Sequence, residues 1–472
     1  MPHSPRHVEV GLAKANGCSS LGVARREQAT WLPAGPRAQY NSVVNETTKL
    51  GSQRIPVRTV AVEVTGGPDL GLRATADELT LGTGDGCGVR LSDPAVSRFH
   101  AELRRCPGGI LVVDHGSTNG TFAGAVRIER AIVPAGTVLG VGDTLLRVTD
   151  AAPVEVELHA AEALGGILGR SSAIRRVMAQ IARAAQSDVS VLVFGETGTG
   201  KELVARALHD LGPRRAAPFV TVDCGALPPA LLASELFGHE RGAFTGADRA
   251  HVGAFEAAAG GTVFLDEIGE LQPAVQATLL GALERRRVRR LGSRSELPID
   301  VRVVAATHRD LRAEVNRGGF RLDLFYRLAV ITLAIPPLRE RTDDIPVLVE
   351  HFLRDAGWDA PVEQLVSPAA MEALTRLHFA GNVRELRNLV EAAVAMGEPP
   401  DVAGAPVASG AEAFATDLAL PYKEARARLL DDFEARYVDA LLARTGGNVS
   451  AAARTARMTR SHLSELLARR RG

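Results

Sequence analysis

The chain has 472 residues, of which 46% are hydrophobic and 23% charged, a balance that predicts about two to four globular domains. Its 55 basic and 55 acidic residues cancel, which excludes a uniformly basic or acidic surface but not a local one. Four scattered cysteines without metal-ligand spacing argue against a disulfide framework and a zinc site and favour a reducing compartment. Since no apolar run approaches about 18 residues and no signal sequence is visible, we expect a cytoplasmic protein without membrane contact.

The first part of the chain divides into three segments. Residues 1–55 lack sustained periodicity and are rich in polar residues, so we expect disorder. Residues 56–150 contain short alternating apolar runs between Gly, Asp and Asn turns, which predict an all-β sandwich or barrel with strands at 59–64, 78–81, 110–113 and 144–148. The Ala- and Glu-rich residues 151–164 are predicted to be a linker.

Three motifs in the β region point to a family: Ser97-Arg98-Phe99-His100, Ser117-Thr118-Asn119-Gly120-Thr121 and Gly142-Asp143. They resemble those of the forkhead-associated (FHA) domain, a β-sandwich whose loops bind phosphothreonine peptides. The resemblance implies that His100 supports a loop and that four residues contact the phosphopeptide, namely Ser97, Arg98, Thr118 and Asn119. Thr83 stands where the family has a phosphate-binding arginine. Recognition of a phosphothreonine protein from a Ser/Thr kinase pathway and phosphate-independent docking therefore both stay open.

Residues 165–397 alternate between buried strands and helical patterns, which predicts a parallel α/β sheet that continues into a helical lid. Strands are expected at 189–194, 262–265 and 301–306. The helix after the first of these strands is predicted to bury one face, formed by Leu203, Val204, Ala207, Leu208 and Leu211.

A phosphate-binding loop follows strand 189–194, with the sequence Gly195-Glu196-Thr197-Gly198-Thr199-Gly200-Lys201. Its glycines let backbone N–H groups and a helix N-terminus face phosphate oxygens, and Lys201 adds a charge for the β- and γ-phosphates of ATP. Glu202, which we include among the predicted nucleotide-binding residues, stands where a hydroxyl ligand of Mg²⁺ is usual. Strand 262–265 ends in Asp266, which we expect to hold Mg²⁺, and Glu267, which we expect to act as general base.

The most specific motif is Gly242-Ala243-Phe244-Thr245-Gly246-Ala247. This GAFTGA sequence resembles the loop of bacterial enhancer-binding activators of sigma-54 RNA polymerase, which are AAA+ ATPases, and the likeness extends over about residues 165–396. It implies sigma-factor contact by the loop and assembly into a ring, expected to be a hexamer. It also implies that Ile167 packs on adenine, that Thr307 and Arg384 are the two nucleotide sensors, and that Arg321 and Arg327 reach the γ-phosphate of the neighbouring subunit.

Three residues depart from the family pattern near the nucleotide. His308 replaces the Asn after the first sensor, Asp223 replaces the Asn that switches the catalytic glutamate, and Phe379-Ala380 replaces Trp-Pro. No phosphate ligand is lost, so we expect ATPase activity, although the sequence does not determine its rate.

The C-terminal part is predicted to be a Pro-, Gly- and Ala-rich linker at 398–419 followed by an all-α region at 420–472. Residues 444–472 contain seven arginines and one acidic residue, a local basic surplus that favours DNA binding. The region resembles the Fis-type helix-turn-helix, which implies contacts to upstream double-stranded DNA. The implied contact residues are Thr459, Arg460, Ser461, His462, Glu465, Arg469 and Arg470.

Together these motifs predict a multidomain, ATP-dependent activator of sigma-54 transcription that is regulated through its FHA domain. Two alternatives stay open: an AAA+ remodeller of a different protein partner, and a phosphopeptide-binding adaptor with an inactive ATPase.

Overall fold

The computed structural model describes residues 53–106 and 108–400, and five isolated positions: Val449, Ala453, Ala456, Met458 and Leu463. The segment 1–55, which we expected to be disordered, lies outside the described residues except for 53–55. Most of the linker 398–419 and of the region 420–472 also lies outside them.

Residues 53–158 form a β-sandwich, as predicted. The strands are β1 (Gln53–Gly66), β2 (Arg73–Ala76), β3 (Glu78–Gly82), β4 (Val89–Arg90), β5 (Ala101–Cys106), β6 (Gly109–Asp114), β7 (Thr121–Ala123), β8 (Val126–Ile128), β9 (Arg130–Val133), β10 (Val138–Val141) and β11 (Thr144–Leu158). One sheet has the order β2-β1-β11-β10-β7-β8 and the other β4-β3-β5-β6-β9. Alternating residues of both sheets, among them Val62, Leu103 and Leu146, are buried between them.

Strand β11 is longer than the sequence predicted. It pairs antiparallel with β1 from Leu145 opposite Gly66 to Leu158 opposite Gln53. The expected linker 151–164 is therefore strand over 151–158, and residues 53–55 belong to its partner strand. The missed signal is the alternation of apolar and acidic residues over Val154-Glu155-Val156-Glu157-Leu158, which is a strand pattern. Its apolar side chains do not share one buried face, because Val154 is 51% exposed whereas Leu158 is buried.

The next region is the predicted parallel α/β unit. Its strands are β12 (Ala163–Leu164), β13 (Ile167–Leu168), β14 (Val191–Phe194), β15 (Phe219–Asp223), β16 (Thr262–Asp266), β17 (Arg287–Val288), β18 (Leu297–Pro298), β19 (Arg302–Thr307) and β20 (Ile331–Ala334). Its helices are α1 (Ser172–Ala185), α2 (Lys201–Asp210), α3 (Pro229–Phe237), α4 (Ala254–Ala257), α5 (Pro273–Arg285), α6 (Leu311–Arg317) and α7 (Leu322–Leu328). The main sheet has the order β15-β16-β19-β14-β20 with every pair parallel. Since the carboxyl ends of parallel strands share one edge, the residues that follow β14, β16 and β19 come together there.

A helical lid follows, as predicted, with α8 (Ile345–Asp355), α9 (Pro368–Arg376) and α10 (Asn382–Met396). It has its own hydrophobic core, in which Leu348, Leu374 and Leu386 are buried. Within the described part of the chain, no helix is long and apolar enough to cross a membrane.

The predicted buried face of α2 is wrong at one position. The helix buries Val204, Ala207 and Leu208, but Leu203 is 45% exposed and lies beside Gly166, next to the residue expected to pack on adenine. Val204 and Leu208 lie one helical turn apart, whereas Leu203 is rotated about 100° from Val204 and lies at the edge of the buried face.

Candidate nucleotide-binding and hydrolysis site

The phosphate-binding loop joins the carboxyl end of β14 to the N-terminus of α2. Gly198 and Gly200 have φ angles of 79° and 103°, in the left-handed region that favours glycine. Gly198 also tolerates no side chain, because a Cβ would lie 2.1 Å from the carbonyl oxygen of Gly381 in the lid. The loop thus presents free N–H groups at a helix N-terminus, the arrangement that binds phosphate.

Lys201 and Glu267 meet at the centre of this sheet edge. The Lys201 side chain is buried, and its Nζ donates to the carbonyl oxygen of Gly195 at 3.1 Å. The same Nζ lies 3.1 Å from Oε1 of Glu267, the first residue after β16. The predicted phosphate-binding lysine and the predicted general base are therefore neighbours.

The backbone of Glu267 is held in an unusual conformation. Its φ and ψ of 50° and 48° lie in the left-handed region, which is rare for a residue with a side chain. Its N–H donates to Oδ1 of Asp266 at 3.0 Å. Backbone strain of this kind occurs where the surroundings fix a functional side chain.

His308 fixes the other carboxylate oxygen of Glu267. Its Nδ1 lies 2.7 Å from Oε2, and its backbone N–H donates to the same oxygen at 3.2 Å. Burial alone would raise the pKa of Glu267, but the hydrogen bonds from His308 and Lys201 outweigh burial and lower it. Glu267 is thus kept as a carboxylate, the form that a general base requires.

Thr307 and Asp223 are the last residues of the two strands on either side of β16. Thr307 is fully buried at the end of β19, where its hydroxyl accepts the N–H of Arg309 at 3.0 Å. Asp223 ends β15 opposite Asp266, and its Oδ1 accepts the N–H of Gly225 at 2.9 Å. Within the described residues, the side-chain contact to the predicted general base Glu267 is thus made from position 308 and not from position 223, where the resemblance places it.

The lid closes on the phosphate-binding loop at the start of α10. Asn382 is fully buried, and its amide donates to Oε2 of Glu196 and to the carbonyl oxygen of Thr197, both at 3.1 Å. The N–H of Arg384 donates to the carbonyl oxygen of Gly198 at 3.3 Å, which places the predicted second sensor beside the loop. Asn382 was missed in the sequence, although its place inside Gly381-Asn382-Val383-Arg384 is a usable signal.

Glu196 was predicted to bind nucleotide, but its side chain faces the lid. Arg339 donates to its two oxygens at 2.7 and 2.6 Å, and this hydrogen bonding lowers the pKa of Glu196 to about 2. The side chain of Glu202, also predicted in this set, is exposed in the first turn of α2. The Thr199 hydroxyl donates to the carbonyl oxygen of Glu196 at 2.8 Å, which leaves the backbone N–H groups and Lys201 as the groups of the loop that could bind phosphate.

Arg321 and Arg327 lie on another element, at the N-terminal boundary and in the last turn of α7. Arg321 pairs with Asp323 at 2.7 Å, and Nη2 of Arg327 donates to the carbonyl oxygen of Leu283 at 3.1 Å. Both are exposed, and within the described residues neither side chain hydrogen-bonds to the phosphate-binding loop. This position is compatible with action on a neighbouring subunit.

The GAFTGA loop lies between α3 and α4. Gly242 and Gly246 have left-handed φ angles of 83° and 99°, and the N–H of Gly242 donates to the carbonyl oxygen of Ala247 at 2.8 Å, which closes the loop. Phe244 is half-buried against His239, with ring centroids 5.0 Å apart, whereas Thr245 is exposed. The loop therefore presents the hydroxyl and packs the aromatic ring against its own base.

Four segments of the chain match known families: 79–145 the FHA domain, 167–334 the Sigma-54 interaction domain, 339–405 the AAA+ ATPase lid domain, and 429–469 the Fis family of bacterial regulatory proteins. The transcriptional regulatory protein GlrR of Escherichia coli (strain K12) is 48% identical over 305 residues, which cover 64% of this chain and 67% of GlrR. ZraR of Salmonella typhimurium is 46% identical over 307 residues, which cover 64% of this chain and 68% of ZraR. The chain belongs to the sigma-54-dependent transcriptional activators.

Among solved structures, NtrX from Brucella abortus in complex with ATP is 34% identical to this activator. The match covers 65% of this chain and 69% of NtrX, with a TM-score of 0.47.

The FHA domain of this activator brings its predicted phosphopeptide residues together on two loops. Oγ of Ser97 accepts the N–H of Thr118 at 3.0 Å, and the Asn119 amide donates to the carbonyl oxygen of Ala95 at 2.7 Å. Arg98, Thr118 and Asn119 are exposed and Ser97 is half-buried. Thr83 joins this group, since its N–H donates to the carbonyl oxygen of Ser97 at 3.1 Å.

His100 has the supporting position that the sequence predicted. It is fully buried, and its Nδ1 accepts the N–H of Ser97 at 3.1 Å while Nε2 contacts the carbonyl oxygen of Gly120 at 3.1 Å. Burial lowers the pKa of His100, so the neutral ring bridges the two loops.

The Fis match at 429–469 confirms the predicted helix-turn-helix family of this activator. The predicted DNA-contacting residues, Thr459, Arg460, Ser461, His462, Glu465, Arg469 and Arg470, lie outside the described residues.

Proposed function

We propose that this sigma-54 activator hydrolyses ATP between neighbouring copies of a ring, expected to be a hexamer, and uses the energy to remodel the closed promoter complex of sigma-54 RNA polymerase. The observation that carries the proposal is the position of Glu267. Its carboxylate lies 3.1 Å from Nζ of the phosphate-binding Lys201 and 2.7 Å from Nδ1 of His308. A fixed, ionised carboxylate next to a phosphate-binding lysine is suited to activating water for attack on a γ-phosphate.

In this mechanism the loop N–H groups and Lys201 bind the phosphates of ATP. Glu267 accepts a proton from the attacking water, and Arg321 and Arg327 of the adjacent copy offset the charge that develops on the γ-phosphate. Thr307 and Arg384 would register the state of that phosphate, and Ile167 would pack on adenine.

Asp266 fits a Mg²⁺ ion held jointly with the phosphates. Burial and the neighbouring charge of Glu267 raise the pKa of Asp266, so a cation would stabilise its ionised form. A Mg²⁺ site of this kind needs only one or two carboxylates, because phosphates and waters complete it. When bound, the ion would supply positive charge to the β- and γ-phosphates.

The remaining steps use the other segments. Residues 242–247, with Thr245 exposed, would contact the sigma factor, and the C-terminal helix-turn-helix would bind upstream DNA through Arg460, Ser461, His462 and Glu465. Ser97, Arg98, Thr118 and Asn119 would bind a phosphothreonine protein and so regulate the ring.

The hydrolysis step is tested with Glu267→Gln, which keeps the shape of the side chain but removes its basicity. We expect ATP to bind while turnover falls at least about 100-fold, the usual contribution of general-base catalysis. Glu372→Gln, a change at an exposed lid carboxylate, serves as the matched control and should hydrolyse ATP at the wild-type rate. Turnover by Glu267→Gln at the wild-type rate would exclude the assignment.

The coupling step is tested with Thr245→Ala in an open-complex assay on a sigma-54 promoter. We expect ATP hydrolysis to continue while open complexes no longer form. Thr278→Ala, at an exposed threonine of α5, should leave both activities unchanged. Undiminished open-complex formation by Thr245→Ala would favour remodelling of a different partner.

A further inference from the structure

Phe99 of the FHA domain is buried by the ATPase domain. Its ring is 1% exposed and lies 5.1 Å from the ring of Phe325 and 6.2 Å from that of Tyr326, both on α7. The ring belongs to the hydrophobic cluster of the ATPase domain, whereas the sandwich core is built from other residues, such as Leu81 and Leu103. An aromatic residue between Arg98 and His100 therefore has its buried contacts outside its own domain.

The Asn316 side chain of α6 contacts two loops of the FHA domain, the loop that contains Phe99 and the loop that contains His115. The Asn316 amide donates to the carbonyl oxygens of Phe99 and His115, the latter at 3.0 Å, and its Oδ1 accepts the N–H of Phe99 at 3.4 Å. A third FHA loop is also in contact, because the N–H of Gly86 donates to the Tyr326 hydroxyl at 3.4 Å. These are backbone contacts, so they fix the shape of the loops as well as their position.

Charges of opposite sign face each other across the same boundary. Nδ1 of His115 lies 2.6 Å from Asp310, and Arg312 pairs with Glu102 at 2.5 Å. Both pairs join the FHA domain to the start of α6; His115, Arg312 and Glu102 are largely shielded from solvent, whereas Asp310 is 42% exposed. Such complementarity is typical of a specific interface and gives a defined orientation.

The residues predicted to bind phosphothreonine lie on the loops that carry these contacts. Arg98 is exposed while the adjacent Phe99 is inserted into the ATPase domain, and Thr118 is exposed three residues after the docked His115. The hydroxyl of Ser97 and the N–H of Thr118, which would bind phosphate, hydrogen-bond to each other at 3.0 Å. A phosphate that binds these two groups would replace the hydrogen bond between them and so change the spacing of the same two loops that Asn316 contacts.

We propose that the α6–α7 face of the ATPase domain is a binding partner of the FHA domain and competes with phosphothreonine peptides for these two loops. The inference rests on the phosphothreonine recognition proposed above. Since α7 also carries Arg321 and Arg327, peptide binding would release the element that is expected to act on the neighbouring subunit.

The docking is tested by hydrogen–deuterium exchange of residues 311–328 in the full chain. Asn316→Ala removes the shared contact from the ATPase side and should speed exchange in this segment at least fivefold. Asn388→Ala, at an exposed asparagine of α10, is the matched control and should leave the exchange rate of this segment unchanged. Phe99→Ala is a second variant that spares the sandwich core and should act like Asn316→Ala. Unchanged exchange in both docking variants would overturn the docking.

The competition is tested by binding of a degenerate phosphothreonine peptide library and its unphosphorylated counterpart to the same full-length proteins. Asn316→Ala lies outside the FHA domain, so a gain in phosphopeptide affinity of about fivefold or more can arise only through released docking. If docking weakens phosphopeptide binding, then phosphopeptide binding must weaken docking by the same factor. The phosphopeptide should therefore speed exchange of residues 311–328 in the wild type. Faster exchange in Asn316→Ala without a gain in affinity would overturn the competition.

A third outcome separates this inference from the proposed function. If no variant prefers the phosphorylated library, phosphothreonine recognition is wrong and the competition fails with it. The docking proposal is then still tested by the exchange of residues 311–328 in the docking variants. The proposed ATP hydrolysis is tested separately by Glu267→Gln.

Discussion

Glu267 depends on its neighbours for its position, because its backbone conformation is unfavourable by itself. A left-handed residue with a side chain costs about 1–2 kcal/mol, and the site must offset this cost. Lys201 and His308 bind the two oxygens of the carboxylate separately, at 3.1 and 2.7 Å. Lys201 is expected to contact phosphate once ATP is bound, which leaves His308 as the group dedicated to the glutamate.

We therefore predict that His308→Ala lowers kcat for ATP hydrolysis about tenfold and leaves the KM for ATP almost unchanged. Tenfold corresponds to about 1.4 kcal/mol, close to the value of a hydrogen bond to a charged group. His308→Asn retains a side-chain donor and should recover most of the rate. The measurement is the kcat and KM of ATP hydrolysis in steady-state kinetics. His351→Ala, in the lid, is the control and should leave both values unchanged. A raised KM with normal kcat would assign His308 to nucleotide binding instead.

At the scale of elements, the start of α10 connects the lid to the phosphate-binding loop. Asn382 lies in the left-handed region at φ 54°, a conformation that asparagine tolerates better than most residues. Its Oδ1 accepts the N–H of Leu338 at 2.8 Å while its amide binds Glu196 and Thr197. One buried side chain thus connects the loop, the segment before the lid and α10.

Replacement of this residue should loosen the lid. We predict that Asn382→Ala lowers the free energy of unfolding of the lid by about 2–4 kcal/mol, because buried polar partners lose their hydrogen bonds and alanine disfavours positive φ. Asn382→Gly lacks the same hydrogen bonds but adopts the conformation freely, so it should lose about 1 kcal/mol less.

The measurement is urea denaturation followed by fluorescence of Trp358, which packs against the lid core, in a Trp31→Phe background. Asn388→Ala on the same helix is the control. Equal losses for the Ala and Gly variants would show that backbone conformation plays no part.

At the scale of the whole molecule, the features that could be predicted from the sequence are those that depend on residues close together in the chain. Gly195–Lys201 and residues 242–247 were recognisable because fixed spacing is itself the requirement of phosphate binding and of a tight loop. The strand over 151–158 was missed because the Ala- and Glu-rich composition was given more weight than the alternation of residues 154–158. The contacts of Phe99 and Asn316 could not be predicted, because they join positions 217 residues apart and neither residue type is diagnostic.

The FHA–ATPase boundary places one titratable group among opposite charges. His115 is buried between Asp310 and Glu102, with Arg312 beside it and Glu78 close to Glu102. Burial alone would lower the pKa of His115, but the hydrogen bond with Asp310 and the carboxylate of Glu102, 3.7 Å from Nε2, outweigh burial and raise it to about 9. The same contacts with His115 and Arg312 lower the pKa values of Glu102 and Asp310 against the effect of burial.

The docking should therefore weaken as pH rises. Release from this boundary removes Asp310 from His115, whereas Glu102 belongs to the FHA domain and stays beside it, so the pKa of released His115 falls below the docked value of about 9. At a pH below both pKa values the ring is charged in both states and the stabilisation is complete; between the two pKa values only the docked state holds the proton, and the stabilisation is lost as pH rises through about 9. Each unit of difference between the two pKa values contributes about 1.4 kcal/mol.

Exchange of residues 311–328, corrected for its intrinsic pH dependence, should thus accelerate between pH 7 and 9.5 in the wild type. His115→Gln keeps a donor that does not titrate, so its corrected exchange should stay level across this range. Acceleration of equal size in His115→Gln would trace the pH dependence to another group of the cluster, because glutamine cannot lose the proton on which the prediction depends.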